Sequence, residues 1–93
     1  MTNLQAAQVS YQQLPTAEAI QTWIVAYVAE LLEVEPESVD PTVSFDRYGM
    51  DSSAAFALTG DLEEWLNCEI DPTDIYDYPT IESLSEHLSE IAN

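Results

Sequence analysis

Apolar residues recur at spacings of three and four over residues 16–34, which is the pattern of an amphipathic helix. The apolar positions that share this helical face are Ile20, Trp23, Ile24, Tyr27, Val28, Leu31 and Leu32. Thr16 suits the N-cap position, because its hydroxyl can accept a hydrogen bond from a free amide of the first turn. Pro36 is expected to stop the run, since a proline disfavours helical backbone in the residue before it. We therefore predict a first helix over residues 16–34.

Two more helices follow from the same spacing. The second is predicted over residues 52–67, and its periodic positions are Ala55, Leu58, Thr59, Leu62 and Leu66, with Phe56 and Trp65 beside them. The last opens at Pro79-Thr80, with Ile81, Leu84, Leu88 and Ile91 predicted inward and Glu82, Glu86 and Glu90 outward. Before it, Asp71-Pro72-Thr73 resembles a cap followed by proline at the first helical position, which predicts a short helical turn over 73–77. No segment alternates as a strand, so the predicted class is all-α: a small bundle of three main helices plus a short fourth.

Residues 35–51 form a long predicted connection between the first two helices. This connection contains two prolines, but it also contains the apolar residues Val39, Val43, Phe45 and Tyr48. A flexible loop would not carry that much apolar surface, so we expect these side chains to pin it onto the helices. The connection is therefore predicted to be a long ordered loop that ends at Asp51-Ser52.

One domain is expected, because the chain has 93 residues and compact domains commonly hold about 100. Residues 1–14 are rich in glutamine and alanine and show no sustained period. We therefore predict a flexible N-terminal tail over 1–14 and the folded domain over 15–93.

The charge balance of the chain is extreme. One lysine or arginine against 18 aspartates and glutamates gives a formal net charge of −17. Such a chain repels nucleic-acid backbones and anionic lipid headgroups, so we expect neither nucleic-acid nor membrane binding, and basic partner surfaces instead. No secretory signal and no apolar run near the ~20 residues of a membrane span are visible. Cys68 is the only cysteine, which excludes an internal disulfide and fits a reducing compartment such as the cytoplasm.

Catalytic groups are sparse in the sequence. His87 is the only histidine and lies far in sequence from Ser52 and Cys68, so neither nucleophile has an evident base. We interpret His87 as a surface residue of the last helix and Cys68 as a partly buried small apolar residue. The window 71–82 has acids at both ends, like a calcium-binding loop, but Tyr76 stands where that loop requires glycine. No catalytic residue and no metal ligand is predicted.

Two features of the second helix leave two interpretations open. Gly60 costs about 1 kcal/mol relative to alanine inside a helix, which indicates either close packing against another helix or room for a partner. Asp61, Glu63 and Glu64 form either a solvated helix face or a docking surface for arginine and lysine.

Ser52 is the candidate functional residue. It follows Gly49, which suits a turn, and Asp51, which suits an N-cap, at the point where the long loop gives way to a helix. Alone, such an Asp-Ser pair indicates no more than an ordinary helix start. The leading loop, the glycine turn and the acidic helix that follows make it a candidate for presenting a hydroxyl to another enzyme.

Gly49-Met50-Asp51-Ser52, Leu62-Glu63-Glu64 and residues 76–84 together resemble stretches of acyl carrier proteins. Gly49-Met50-Asp51-Ser52 resembles their Gly-x-Asp-Ser phosphopantetheine attachment motif, and Leu62-Glu63-Glu64 matches a stretch further along the same helix. Residues 76–84 resemble the aromatic-Asp-Tyr-Pro-Thr segment before the last helix in carrier domains of polyketide synthases. The resemblance covers about residues 16–92, with compatible spacing throughout.

The resemblance implies that Ser52, beside Asp51, receives 4′-phosphopantetheine from coenzyme A through a phosphopantetheinyl transferase with magnesium. The thiol of this arm then carries acyl thioesters between a loading enzyme and a ketosynthase or other synthase domains of polyketide, lipid or fatty-acid-derived biosynthesis. The free amides at a helix start would favour the resulting phosphodiester. The implied protein is a monomeric carrier and not an enzyme.

The chain departs from the family pattern around the serine. Ser53 replaces the usual leucine or isoleucine, and Ala57 stands where an acidic residue is common. This run looks more like carriers that are loaded by fatty acyl-AMP ligases. The docking surface implied for partners consists of Ser53, Ala57, Gly60, Asp61, Glu63 and Glu64. Two alternatives stay open, a peptidyl carrier of non-ribosomal peptide synthesis and an unmodified acidic interaction module.

Overall fold

Helices and turns account for the regular structure of residues 16–92, which are the residues that the computed structural model describes. The helices are α1 (Ala17–Leu32), α2 (Ser52–Leu66), the short α3 (Asp74–Asp77) and α4 (Ile81–Ala92). Two 3₁₀ turns, Pro36–Ser38 and Phe45–Tyr48, lie in the connection between α1 and α2. Within this part of the chain the β pairing is a single isolated bridge between Ser44 and Thr80. The predicted all-α class is confirmed, and the predicted tail over 1–14 lies outside the described residues.

The start of α1 is as predicted, but its end is not. Thr16 caps the helix, and its side-chain hydroxyl accepts a hydrogen bond from the Ala19 amide at 3.1 Å. The helix then ends at Leu32, because Glu33 turns into the left-handed region at φ 60°. The amide of Glu33 reaches back to Glu30 and that of Val34 to Ala29, which is a Schellman motif. The prediction that Pro36 stops α1 was wrong, since the chain has already left the helix before the proline.

The core forms between α1, α2 and α4. Its most deeply buried side chains are Ile20, Ile24, Val28, Leu58, Leu62, Ile81 and Leu88. Two positions predicted inward are exposed: Leu31 keeps 48% of its surface accessible and Ile91 keeps 44%. Both lie in the last turn of their helix, beyond the part of the apolar face that neighbouring elements cover.

The α1–α2 connection is ordered, as predicted, because both its side chains and its backbone are held. Phe45 is buried in the core, and its amide donates to the Pro79 carbonyl at 2.8 Å. The Tyr48 hydroxyl accepts from the Asp40 amide at 2.6 Å, which closes the loop on itself. The Phe45–Pro79 hydrogen bond anchors the loop to the segment that leads into α4, and the loop therefore delivers Ser52 at a defined place.

The segment around α3 differs from the prediction in two details. Asp71 accepts hydrogen bonds from the amide and the hydroxyl of Thr73, and these bonds lower the pKa of Asp71. Pro72 therefore lies in a turn before α3 rather than at its first helical position. His87 is not a free surface residue: its Nε2 lies 3.1 Å from Asp74 Oδ2, and its ring stacks on Tyr78 at 4.1 Å. This contact ties α3 to α4.

Replacing Glu33 by glycine should stabilise the protein by about 0.5–1 kcal/mol. Glycine adopts a positive φ without the steric cost that other L-residues meet, and the change removes a negative charge from the negative end of the α1 dipole. Glu35→Gly is the matched control, because it removes the same charge where φ is −73°. Urea unfolding should give a higher midpoint for Glu33→Gly alone; equal midpoints for both variants would contradict the account.

Candidate attachment site

Ser52 is the first residue of α2, and three local features hold it there. Gly49 ends the preceding 3₁₀ turn at φ 76°, a conformation in which any larger residue would be strained. Asp51 is the N-cap, and its Oδ1 accepts the Ala54 amide at 2.9 Å. The Ser52 side chain is exposed. The hydroxyl is therefore accessible to another protein, at a position that the backbone defines.

The electrostatics of this helix start favour a phosphate group. The first amides of an α-helix lack intrahelical acceptors and carry the positive end of the helix dipole. Asp51 uses the amide of Ala54, and the first turn of α2 holds no acidic residue of its own. A phosphate attached at Ser52 would therefore meet the helix amides, with the carboxylate of Asp51 at the cap and that of Asp46 on the wall of the adjoining cleft.

Two clefts open beside the serine. One, of about 360 Å³, lies between the end of the loop and α3 and is lined by Phe45, Met50, Ile75 and Tyr76 among others. The other, of about 210 Å³, lies between α2 and α3 and is lined by Phe56, Pro72 and Tyr76 among others. Ser52 and Ala55 line both. Ser52 thus lies where two largely apolar clefts meet, and Asp46 and Asp51 also line the larger one.

Two aromatic side chains on the rim of these clefts were not among the predicted site residues. Phe56 keeps 64% of its surface exposed and Tyr76 keeps 65%. Phe56 follows Ser52 by four residues, so the helical spacing could have placed it on the same side. Tyr76 comes from α3, and only the tertiary arrangement brings it beside the serine.

Five of the six predicted docking residues are exposed on α2. Ser53, Ala57, Gly60, Asp61 and Glu64 follow one another at helical spacing along one side. A Cβ atom at Gly60 would meet no atom of another element within 4 Å, so close packing against another helix does not explain this glycine and the position is open to a partner.

Glu63 differs from the other five. It is half-buried, and its Oε2 accepts a hydrogen bond from the Ile70 amide at 2.8 Å. Its carboxylate therefore holds the segment after α2 against the helix. Sequence reasoning missed this role because the acceptor and donor are seven residues apart and belong to different elements.

The remaining candidate nucleophile, Cys68, and the candidate base, His87, interact with groups other than Ser52. Burial, and then the Glu63 carboxylate, raise the pKa of the half-buried Cys68 thiol, which keeps it protonated. His87 is bound to Asp74 and Tyr78. Over residues 16–92, no group of three or more histidine, cysteine or acidic side chains is arranged to hold a metal ion.

A small helical bundle that presents one serine at a helix start, with clefts beside it, has the build of a carrier domain. The family described as "Phosphopantetheine attachment site" matches residues 22–88. The chain is 35% identical over 74 residues to the acyl carrier protein TtuC of Teredinibacter turnerae, a match that covers 80% of this chain and 85% of that protein. The chain therefore belongs to the acyl carrier protein family of phosphopantetheine-binding domains.

Other similar proteins include both free-standing carriers and large synthases. The solution structure of the acyl carrier protein Asl1650 from Anabaena superposes with a TM-score of 0.80 at 41% identity, covering 84% of this chain and 89% of that one. A free-standing peptidyl carrier protein from Acinetobacter baumannii gives 0.78 at 38% identity, covering 84% and 98%. The polyketide synthase PksN of Bacillus subtilis is 30% identical over 76% of this chain, which spans 1% of that protein's length.

Membership of the family determines the general role. The protein is a carrier of polyketide-synthase type that bears covalently attached 4′-phosphopantetheine, and it is not a catalyst. Its partners are a phosphopantetheinyl transferase and synthase enzymes. Among the described helices, none is both long and apolar enough to cross a bilayer.

Replacing Asp51 by alanine should lower the free energy of unfolding by about 1 kcal/mol, because the Ala54 amide loses its acceptor. Asp51→Asn should stay within a few tenths of a kcal/mol of the native protein, since an asparagine side-chain oxygen can cap the helix equally well. Urea unfolding of the three proteins measures this. An equal loss in both variants would show that the charge of Asp51, and not its hydrogen bond, stabilises the start of α2.

Proposed function

We propose that Ser52 is the residue that carries the phosphopantetheine arm. The observation that supports this most directly is the exposed Ser52 hydroxyl at the capped start of α2, within the Gly-Met-Asp-Ser run. In the proposed transfer, the Ser52 oxygen forms a bond to the phosphorus of the pantetheine phosphate in coenzyme A. The bond from that phosphorus to adenosine 3′,5′-bisphosphate breaks, and the serine proton is lost. Because Asp51 uses its Oδ1 to cap α2 and His87 is paired with Asp74, we expect the transferase to accept this proton.

The clefts beside Ser52 support a resting position for the arm. Their walls are largely apolar, with Met50 and Ile75 on one side and the exposed Phe56 and Tyr76 on the rim. We propose that the pantetheine chain lies along these clefts between transfers and swings out when a partner binds.

The docking surface in this proposal has two parts. Ser53, Ala57 and Gly60 give a small, uncharged surface that a partner can approach closely. Asp61 and Glu64 continue the same side of α2 and would attract basic side chains, which steers association. Small residues in place of the family's usual larger and acidic ones support loading by a fatty acyl-AMP ligase and delivery to synthase domains such as a ketosynthase.

We also propose a compartment, an oligomeric state and domain bounds for the carrier. The arm works through a free thiol, so a reducing compartment, the cytoplasm, suits it. The net charge of −17 opposes self-association, which supports a monomer. The folded carrier domain in this proposal comprises residues 15–93.

A peptidyl carrier is the second candidate for the cargo. The similarity to the free-standing peptidyl carrier protein, which the chain covers over 98% of its length, favours it specifically. The two candidates share the arm and differ in the loading enzyme. Charging assays of the arm-bearing protein with fatty acyl-AMP ligases and with amino-acid adenylating enzymes separate them.

Incubation with coenzyme A, magnesium and a broad-specificity phosphopantetheinyl transferase should add one phosphopantetheine to the native chain, as intact mass shows. Ser52→Ala should gain none, and Ser53→Ala, the adjacent control, should gain one. Modification of Ser52→Ala but not of Ser53→Ala would move the site by one residue. No gain in any of the three proteins would favour an unmodified interaction module.

Reversing the charge of Glu64 to lysine should slow arm transfer or acyl loading by about threefold at low salt, because an exposed charge contributes up to about 1 kcal/mol to a contact. Glu82→Lys makes the same charge change on α4 and should leave the rate unaltered. Glu63 is unsuitable for this test, since its loss would also free the Ile70 amide. Equal rates for both variants would show that Glu64 is only solvated.

A further inference from the structure

Three aromatic rings stack across the α1–α2 boundary, outside the core. The Trp23 ring lies 5.4 Å from that of Tyr27 and 5.1 Å from that of Trp65, centroid to centroid. The two indoles are nearly parallel, with 7° between their planes. Although Trp23 covers one face of Trp65, 41% of Trp65 stays exposed. Attachment of an arm at Ser52 does not account for this surface.

An acidic side chain adjoins the stack. Asp61 precedes Trp65 by one helical turn and is exposed on the same side of α2. Burial, and then a hydrogen bond and the charge of Asp61, raise the pKa of Tyr27, so the Asp61 carboxylate acts on the same aromatic stack. A carboxylate has about four acceptor positions, so Asp61 keeps capacity for a further donor.

The charge of the chain argues against binding of one of its own cations, or of a second copy of the chain, beside Trp65 and Asp61. Arg47 is the only lysine or arginine of the sequence, and it lies in the second 3₁₀ turn. Within residues 16–92, the ion pair formed is that of His87 with Asp74. A second copy would bring a charge of −17 against an equal charge. The complementary occupant is a cationic group of another protein.

We propose that Trp65 and Asp61 form a docking site for an arginine side chain of a partner protein. A guanidinium is planar, so it can stack on the exposed indole while it donates to the adjacent carboxylate. A lysine ammonium is a compact point charge and would satisfy mainly the carboxylate. Exposed cation–π contacts contribute about 0.5–1 kcal/mol, which corresponds to a preference for arginine of about threefold.

The site is separate from the attachment serine. Trp65 lies thirteen residues after Ser52 in the sequence, so the two are about 20 Å apart along the helix axis at 1.5 Å per residue. The site shares Asp61 with the docking surface proposed above, so a partner that engages it docks at the part of α2 remote from Ser52. The arginine site rests on the proposed docking surface through Asp61, but it does not require modification of Ser52.

The experiment uses the full chain carrying Ser52→Ala, so that attachment plays no part. The chain has two tryptophans, Trp23 and Trp65, so both indole N–H signals in an NMR spectrum report on the stack. The probe is a capped peptide of arginines separated by glycines, compared with matched lysine and citrulline peptides. The arginine peptide should shift the indole signals and bind about threefold more tightly than the lysine peptide, and the uncharged citrulline peptide should bind most weakly.

Three further variants test which groups are responsible. Asp61→Asn should weaken arginine-peptide binding about threefold or more. Trp65→Leu should abolish the preference for arginine over lysine, because leucine has no π face. Glu82→Gln removes one charge on α4 and should leave the preference unchanged. Circular dichroism of all variants checks that the helices are retained.

Equal binding of the arginine and lysine peptides, or equal losses for Asp61→Asn and Glu82→Gln, would overturn the proposal in favour of nonspecific charge attraction. Indole signals that move on dilution, with a dimer mass in sedimentation, would assign the surface to a second copy. Nuclear Overhauser contacts from residues 1–15 to the Trp65 indole would assign it to the chain's own N-terminal segment.

Discussion

The hydrogen bond from the Ala54 amide to the Asp51 carboxylate determines where α2 begins, and the position of Ser52 follows from it. The cap requires an extended backbone at Asp51, which the chain reaches because Gly49 turns through the left-handed region. That turn closes a 3₁₀ segment whose Phe45 is buried and whose backbone binds Pro79. A continuous series of contacts therefore extends from the core to one exposed hydroxyl, so a partner meets this hydroxyl in a defined position.

The charge of the chain is distributed in a way that suits a carried phosphate. The first turn of α2 holds no acidic residue, whereas Asp61 and Glu64 lie further along the helix. A phosphate at Ser52 would therefore meet no carboxylate from the first turn of α2 itself, and the acidic residues beside it are Asp46 and Asp51, which line the same cleft. The two ends of α2 consequently differ in chemistry: one is small and bordered by apolar clefts, and the other combines carboxylates with stacked indoles.

Most of the helical architecture could be predicted, because periodic apolar spacing is a local property of the sequence. The predicted capping roles of Thr16 and Asp51 were also confirmed. Each cap is local as well, because the hydroxyl or carboxylate accepts a hydrogen bond from an amide three residues later. The predictions failed where a helix end or the exposure of a side chain depended on contacts with other elements of the fold. The end of α1 at Glu33 and the exposure of Leu31 reflect how far the other elements extend, which spacing alone does not reveal.

By itself, the sequence determined the helices, the ordered loop and the exposed serine in its motif, because each depends on residues within a few positions of one another. Only the tertiary structure decided that Glu63 binds the Ile70 amide, that His87 joins α3 to α4, and that Gly60 faces open space. It also decided that Tyr76 borders the serine and that Trp23 stacks on Trp65. The physical reason is that these contacts join residues from different elements, and their distances depend on how the whole core packs.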